Sequence, residues 1–285
     1  MVLCIKSIYL NTSSILLDII LSMMNFYAVV NDIAIGENLN ILILSDIHGN
    51  ADALKAVLEH ANRWDSIWVL GDLVDYGPEP QTVIDIIRDI KPDVILMGNH
   101  DYAVAFNVDC RCAPNIHELS EYTRKYISYR LISRDQIEWL KGLAIKIEKT
   151  LVGKKVLAVH GSPRNPLYGY IEPGMSLEEI RFALTPSLYA LKPRPVDRDI
   201  VVVGHSHKPI KIYVDDILVI NPGSVGQPRD GIPKASYAVF NIERSVFEIH
   251  RVEYDVEKVV GKLKSLKIED KYMQWLEKIL KMGRI

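Results

Sequence analysis

From Ile41 onward, short aliphatic runs that end in polar residues alternate with stretches of helical period, a pattern that predicts β-α-β-α order. ILILS at 41–45 is a candidate buried strand, Ala53, Leu54, Val57 and Leu58 then recur at helical spacing, and SIWVL at 66–70 comes next. Pro80 can open the next helix, whose apolar face is Val83, Ile84, Ile86, Ile87 and Ile90, and Pro92 stops it before DVILM at 93–97. Strands joined by helical crossovers are expected to be parallel with right-handed connections. Between about 102 and 143 the chain turns polar and aromatic. Two helices are predicted there, near 116–130 and 134–142, the second with Ser133 as N-cap, as an insertion over the face where the strands end.

Strands return at AIKIEKT and KVLAVH, linked by Val152-Gly153, and then at DIVVVG, IKIYV, ILVIN, SYAVFNI and VFEIHRV. Their alternation predicts a half-buried antiparallel sheet. Ser176 and Glu179 have capping-box spacing ahead of a short helix. Past Tyr254, Val259, Val260, Leu263, Leu266, Trp275, Leu276 and Ile279 interleave with charges and predict two amphipathic helices over 255–285. An exposed apolar side of this tail could serve homo-oligomer formation. The division expected is a main domain over 40–254, carrying the 102–143 insertion, with that tail after it.

Residues 1–39 do not share the pattern. Their longest charge-free stretch, 19–31, is shorter than the roughly 20 apolar residues of a membrane span, and Asn11 to Ser14 interrupt any signal-peptide core. No membrane association is expected, and a physiological start at Met23 or Met24 would explain the atypical leader. With 34 Lys+Arg against 36 Asp+Glu the net charge is −2, which argues against bulk nucleic-acid binding. Three cysteines give no disulfide framework, so a reducing, cytoplasmic setting is expected and Cys110-Arg-Cys112 reads as two free thiols.

The residues that carry chemistry stand just past the strands. ILILS leads into Asp46-Ile47-His48, SIWVL into Gly71-Asp72-Leu73-Val74-Asp75, DVILM into Gly98-Asn99-His100-Asp101, KVLAV into His160-Gly161-Ser162, and IVVVG into His205-Ser206-His207. In an open α/β sheet ligands bind outside the carboxyl ends of the strands, so these five loops should converge. The steps from Asp46 to Asp72 and from Asp72 to Asn99 are each one βαβ unit. Hard oxygen and imidazole donors without thiolate suit Mn²⁺, Fe, Zn²⁺, Ni²⁺ or Co²⁺ better than Ca²⁺. His60, His117 and His250 lie outside these loops and are assigned no ligand role.

Asp-x-His, Gly-Asp-x-x-Asp, Gly-Asn-His-Asp, His-Gly-Ser and Gly-His-Ser-His, in that order, resemble the five signatures of the calcineurin-like metallophosphoesterase superfamily over about 40–230. Asn221-Pro-Gly-Ser-Val-Gly-Gln-Pro-Arg229 further resembles its compact bacterial and archaeal phosphodiesterase branch, which is similar to diadenosine-tetraphosphatase-like proteins. The resemblance implies an α/β fold in a four-layer α/β/β/α sandwich and two divalent metal ions, Mn²⁺ first among those named. By the same resemblance Asp46, His48 and His207 would hold one metal, Asn99, His160 and His205 the other, and Asp72 would bridge them. Two such cations can clamp a phosphate and lower the pKa of a water between them. His100 stands outside the seven ligands and is free to protonate a leaving alkoxide, with Asp75 orienting its ring, roles the family also assigns to this pair.

The expected activity is hydrolysis of phosphomonoesters or phosphodiesters of small molecules or nucleotides by direct attack of metal-bound hydroxide. One departure bears on substrate: where the protein Ser/Thr phosphatase branch carries a phosphate-binding arginine after the second motif, this chain has Tyr76, which disfavours phosphoprotein substrates. Arg164 and Arg229 are candidate replacements. A catalytically silent protein-binding scaffold of the same fold is the competing reading, and it would not need to keep all seven ligands.

Overall fold

The computed structural model describes residues 27–29, 39–61 and 63–285, so the leader and the alternative starts at Met23 and Met24 lie outside the described residues, apart from 27–29 and Leu39. Eleven strands are described: β1 (Tyr27–Val29), β2 (Asn40–Leu44), β3 (Ser66–Val69), β4 (Val94–Ile95), β5 (Lys146–Leu151), β6 (Lys154–Val159), β7 (Ile200–Val202), β8 (Ile210–Val214), β9 (Ile217–Asn221), β10 (Ala235–Asn241) and β11 (Val246–Val252). They form a five-stranded sheet, β11-β10-β2-β3-β4, and a six-stranded sheet, β1-β5-β6-β7-β9-β8. The described helices are α1 (Ala51–His60), α2 (Pro80–Ile90), α3 (Asn99–Phe106), α4 (Pro114–Thr123), α5 (Tyr129–Leu131), α6 (Arg134–Lys141), α7 (Leu177–Ala183), α8 (Val256–Ser265) and α9 (Asp270–Met282).

Side-chain alternation along the strands builds the layers. Leu42 and Leu44 of β2 pack with Leu54 and Val57 of α1 and with Val83 and Ile87 of α2. Their neighbours Ile41 and Ile43 face the other way, onto Val156, Ala158, Val202 and Ile220 of the six-stranded sheet. The outer face of that sheet, including Leu157, Val201 and Val219, is closed by Ile180 and Ala183 of α7. The result is the expected α/β/β/α sandwich. Burying each aliphatic side chain is worth about 1.5–3 kcal/mol, so the inter-sheet cluster alone aligns the two sheets firmly.

β2, β3 and β4 are parallel, as the crossovers require. The antiparallel expectation for the later strands holds at β5–β6, β8–β9 and β10–β11 and needs correction at β7, which pairs parallel to both β6 and β9. β7 and β9 are buried along their whole length, and a strand covered on both faces reads as a continuous apolar run, the habit of parallel sheets. The helix predicted at 116–130 is α4 continued by a π-helical turn at Arg124–Ser128 into α5. One helix was not anticipated: α3 starts on the Asn99-His100-Asp101 motif itself.

Candidate metal centre

The strand ends hold their polar residues in a costly conformation. Asp46, His48, Asp72, Asp75, Tyr76, His205 and His207 all have φ between 47° and 65°, and a non-glycine residue held there costs about 1–3 kcal/mol. Loop-to-loop hydrogen bonds offset this: His48 N–H donates to Asp72 O at 2.9 Å, Gly49 N–H to Leu73 O at 2.8 Å, and Gly204 N–H to His160 O at 2.8 Å. The buried Asp101 carboxylate gathers three more main-chain donors, Asp72 N at 2.7 Å, Leu73 N at 2.8 Å and Gly98 N at 2.9 Å. The loops approach so closely that a Cβ on Gly226 would stand 1.8 Å from the Ile47 carbonyl oxygen. Gly226→Ala is therefore expected to lower the unfolding midpoint by an amount equivalent to about 1–3 kcal/mol, and a thermal melt superposing on the parent's would contradict that tight approach.

All seven candidate ligands are buried and they meet in two adjoining groups. Asp46, His48, Asp72 and His207 form one; Asp72, His160 and His205 form the other. His48 Nε2 lies 3.2 Å from His207 Nε2, His160 Nε2 lies 3.2 Å from His205 Nδ1, and Asn99 Oδ1 lies 3.1 Å from His160 Nε2. Asp72 belongs to both groups: its Oδ2 is 3.6 Å from His48 Nε2 and 3.2 Å from His160 Nε2, while its Oδ1 accepts the His100 N–H at 2.9 Å.

The donor set fits divalent cations. Nδ1 of His48, His160 and His207 faces the main-chain oxygens of Val74, Leu70 and Gln227 at 2.9, 2.8 and 2.6 Å. When Nδ1 carries the proton, the Nε2 lone pair is turned inward. Asp46 Oδ1, Asp72 Oδ2 and His205 Nε2 are buried without a hydrogen-bond partner among the described residues, an expensive arrangement for a fold that gives them no other occupant. Burial keeps His48, His205 and His207 well below the usual histidine range and hence neutral. Burial likewise lifts Asp46 to about 6. At Asp72 burial is outweighed by the His160 and His100 imidazoles, which hold the carboxyl far below its usual range. At His160 burial is overcome by the Asp72 charge, which raises the ring to about 9.

His100 stands beside this cluster with its Nδ1 2.9 Å from Asp75 Oδ2. Burial would lower its pKa, but Asp72, Cys110 and Asp75 raise it to about 9. Asp75 is itself clamped by the insertion, accepting Ser128 Oγ–H at 2.7 Å and Arg124 Nε–H at 3.3 Å. The π-helical turn at 124–128 sets both donors on that carboxylate, in keeping with the habit of such turns to occur at functional sites. Asp101, Arg124 and Ser128 do not stand out in the sequence. Asp101 is legible only as the last residue of the Gly-Asn-His-Asp motif, and nothing in the polar insertion marks Arg124 as buried.

Tyr76 forms a wall, its ring centroid 4.9 Å from His48 and 5.0 Å from His100, and Arg229 reaches over its face at 5.9 Å. Arg229 thus joins the cluster. Arg164 does not: its Nη2 donates to Leu188 O at 2.6 Å and its guanidinium lies over Phe182 at 4.0 Å. His60 and His250 pack with Tyr237, and His117 pairs with Asp109, all away from the seven ligands.

Comparison with known proteins agrees with this geometry. The calcineurin-like phosphoesterase superfamily domain matches residues 39–245. An uncharacterized protein of Methanocaldococcus jannaschii is 34% identical over 268 residues, covering 86% of this chain and 98% of that protein. A metallophosphoesterase from Sphaerobacter thermophilus is similar in structure, with a TM-score of 0.70 and 28% identity over 86% of this chain and 99% of that one. The symmetrical bis(5'-nucleosyl)-tetraphosphatase of Yersinia pestis is 40% identical over 63 residues, 21% of this chain and 22% of that enzyme. No helix among the described residues is long and apolar enough to cross a membrane. The chain belongs to the calcineurin-like phosphoesterase superfamily, a family of metal-dependent hydrolases, and is itself a hydrolase.

Proposed function

We propose that this protein is a binuclear metal-dependent phosphoesterase that hydrolyses phosphomonoesters or phosphodiesters of small molecules or nucleotides. One observation carries the binuclear reading: the buried Asp72 Oδ2 lies 3.6 Å from His48 Nε2 and 3.2 Å from His160 Nε2, and Asp72 belongs to both donor groups. Asp46, His48 and His207 would hold one cation and Asn99, His160 and His205 the other. When bound, such a pair supplies Lewis acidity to the phosphate and to water. Mn²⁺ is the first metal to try, since oxygen and imidazole donors without thiolate are tolerant among first-row ions.

The chain's own residues do the rest. His100, kept protonated by Asp72, Cys110 and Asp75 and oriented by its Asp75 contact, delivers a proton to the leaving oxygen, and Arg124 and Ser128 keep Asp75 in place for it. Arg229 brings a cation to the Tyr76 wall, where it can meet a phosphate oxygen. Tyr76 itself presents no charge, so small phosphoesters are favoured over phosphoproteins. The local likeness to a dinucleoside tetraphosphatase makes nucleotides the first substrates to screen. The scaffold reading is disfavoured because every one of the seven donors is kept and turned inward. Buried free thiols at Cys110 and Cys112 accord with a cytoplasmic setting.

His100→Asn is the sharpest test of the proton donor. Turnover of a phosphodiester with a poor alkoxide leaving group is expected to fall by about 10²–10⁴-fold, and turnover of a nitrophenyl ester far less. Equal losses on both substrates would remove the acid role from His100 while leaving the metal assignment untouched.

A further inference from the structure

The loop between α3 and α4 places two thiols against the proposed metal centre. Cys110 Sγ and Cys112 Sγ are 2.9 Å apart, and Arg111 between them has φ 51°, a left-handed bend that folds the short segment back on itself. Cys110 Sγ also lies 3.2 Å from Ser120 Oγ, and that hydroxyl lies 3.3 Å from His100 Nδ1. The main-chain oxygen of Cys110 accepts the Asn99 Nδ2–H at 2.9 Å. That bond fixes which end of the Asn99 amide faces His160. One residue therefore carries a thiol and, through its carbonyl, sets a proposed metal ligand.

The two sulfurs together with His100 could also be read as a soft-metal site. Two metal–sulfur bonds of about 2.3 Å at a tetrahedral angle would hold the sulfurs about 3.7 Å apart, so the observed spacing favours a bond between them instead.

We propose that Cys110 and Cys112 are a reversible thiol–disulfide site, and that closing the bond withdraws the Cys110 carbonyl from Asn99 and weakens metal binding. The oxidant is a small peroxide or a soluble disulfide. With hydrogen peroxide one thiol attacks the O–O bond to give a sulfenic acid and water; the second thiol then displaces the sulfenic oxygen as a second water, so two thiols and one peroxide give one disulfide and two waters. Cys112 is 9% exposed and Cys110 is fully buried, so an oxidant reaches the pair from the Cys112 side, and either sulfur can complete the bond at this spacing. Contraction to about 2.05 Å draws Cys110 toward its partner. The Asn99 amide then loses its anchor and is free to turn Oδ1 away from His160.

The metal-binding consequence rests on the phosphoesterase reading, so the experiment measures the bond, the metal and the turnover separately. Full-length protein is treated with hydrogen peroxide or oxidised glutathione. Intact mass is expected to fall by about 2 Da, and Mn²⁺ affinity by calorimetry about tenfold, both restored by dithiothreitol. Cys112→Ser should match the reduced parent in affinity and show neither change. Oxygen additions without the 2 Da loss, zinc carried on the thiols, a disulfide with unaltered Mn²⁺ affinity, or equal oxidative loss in Cys112→Ser would each overturn the proposal. Phosphodiester turnover is measured in parallel: if it is absent in both redox states while mass and affinity shift as expected, the phosphoesterase reading fails and the thiol switch stands.

Discussion

Asp72→Asn is expected to reduce phosphodiester hydrolysis in Mn²⁺ by on the order of 10³-fold or more, because it removes the one carboxylate common to both donor groups. The substitution is close to isosteric. The remaining amide oxygen can still accept the His100 N–H that Asp72 Oδ1 accepts now, and the new NH₂ would face the His48 and His160 nitrogens as a donor. The fold should therefore survive, and circular dichroism should match the parent. The stabilisation that Mn²⁺ confers, which for a site at 100-fold excess over Kd is about 2.7 kcal/mol, should vanish. His160→Ala should likewise abolish activity. Full activity in both variants would remove the metal assignment altogether.

The pH dependence of metal uptake should be nearly as large. Without cations, His160 is raised to about 9 by Asp72, so the folded protein holds a proton there through neutral pH. A cation needs that ring neutral, and binding must expel the proton. Affinity is accordingly lowest at low pH, rises about tenfold per pH unit from about 7 to about 9 as one proton is displaced, and levels off above that. His48, His205 and His207 sit well below the usual range and contribute no proton in this window. Below about 6 the raised Asp46 adds a second proton and steepens the curve. His100, also raised to about 9, can add to the release without being a ligand. Calorimetry in two buffers of different ionisation enthalpy counts the protons, and an affinity flat between pH 7 and 9 would contradict the Asp72–His160 coupling.

Both predictions use residues visible in the primary structure because each sits one to four positions past an aliphatic run. Asp46, Asp72 and Asn99 recur at the step of a βαβ unit, and His160, His205 and His207 come after two further runs that end at the same side of the sheets. Local pattern is enough to mark such positions: a strand ends where apolar residues stop, and the next residues must lie at its carboxyl end. The two-layer arrangement was implied by the family resemblance and not by the pattern: ILILS reads only as a buried strand, and it is the packing that divides Leu42 and Leu44 from Ile41 and Ile43. The parallel pairing of β7 was not legible either. Its unbroken aliphatic run marks a strand covered on both faces, but so short a strand does not name the neighbours it pairs with.

Chain order and residue type thus mark which polar side chains stand just past the strand ends. Contact across long separations settles how they are held. Arg124 and Ser128 reach Asp75 from about fifty residues away, through a π-helical turn that no periodicity signals. Tyr76 is pinned between His48 and His100 and shares a cluster with Val260 and Leu276 of the last two helices. Arg164 and Arg229 are equivalent in sequence as cations in loops, yet one is bound to the Leu188 carbonyl and the other lies over Tyr76. The physical reason is that a side chain's direction and burial depend on the surfaces that close around it, and those surfaces exist only after the layers have packed.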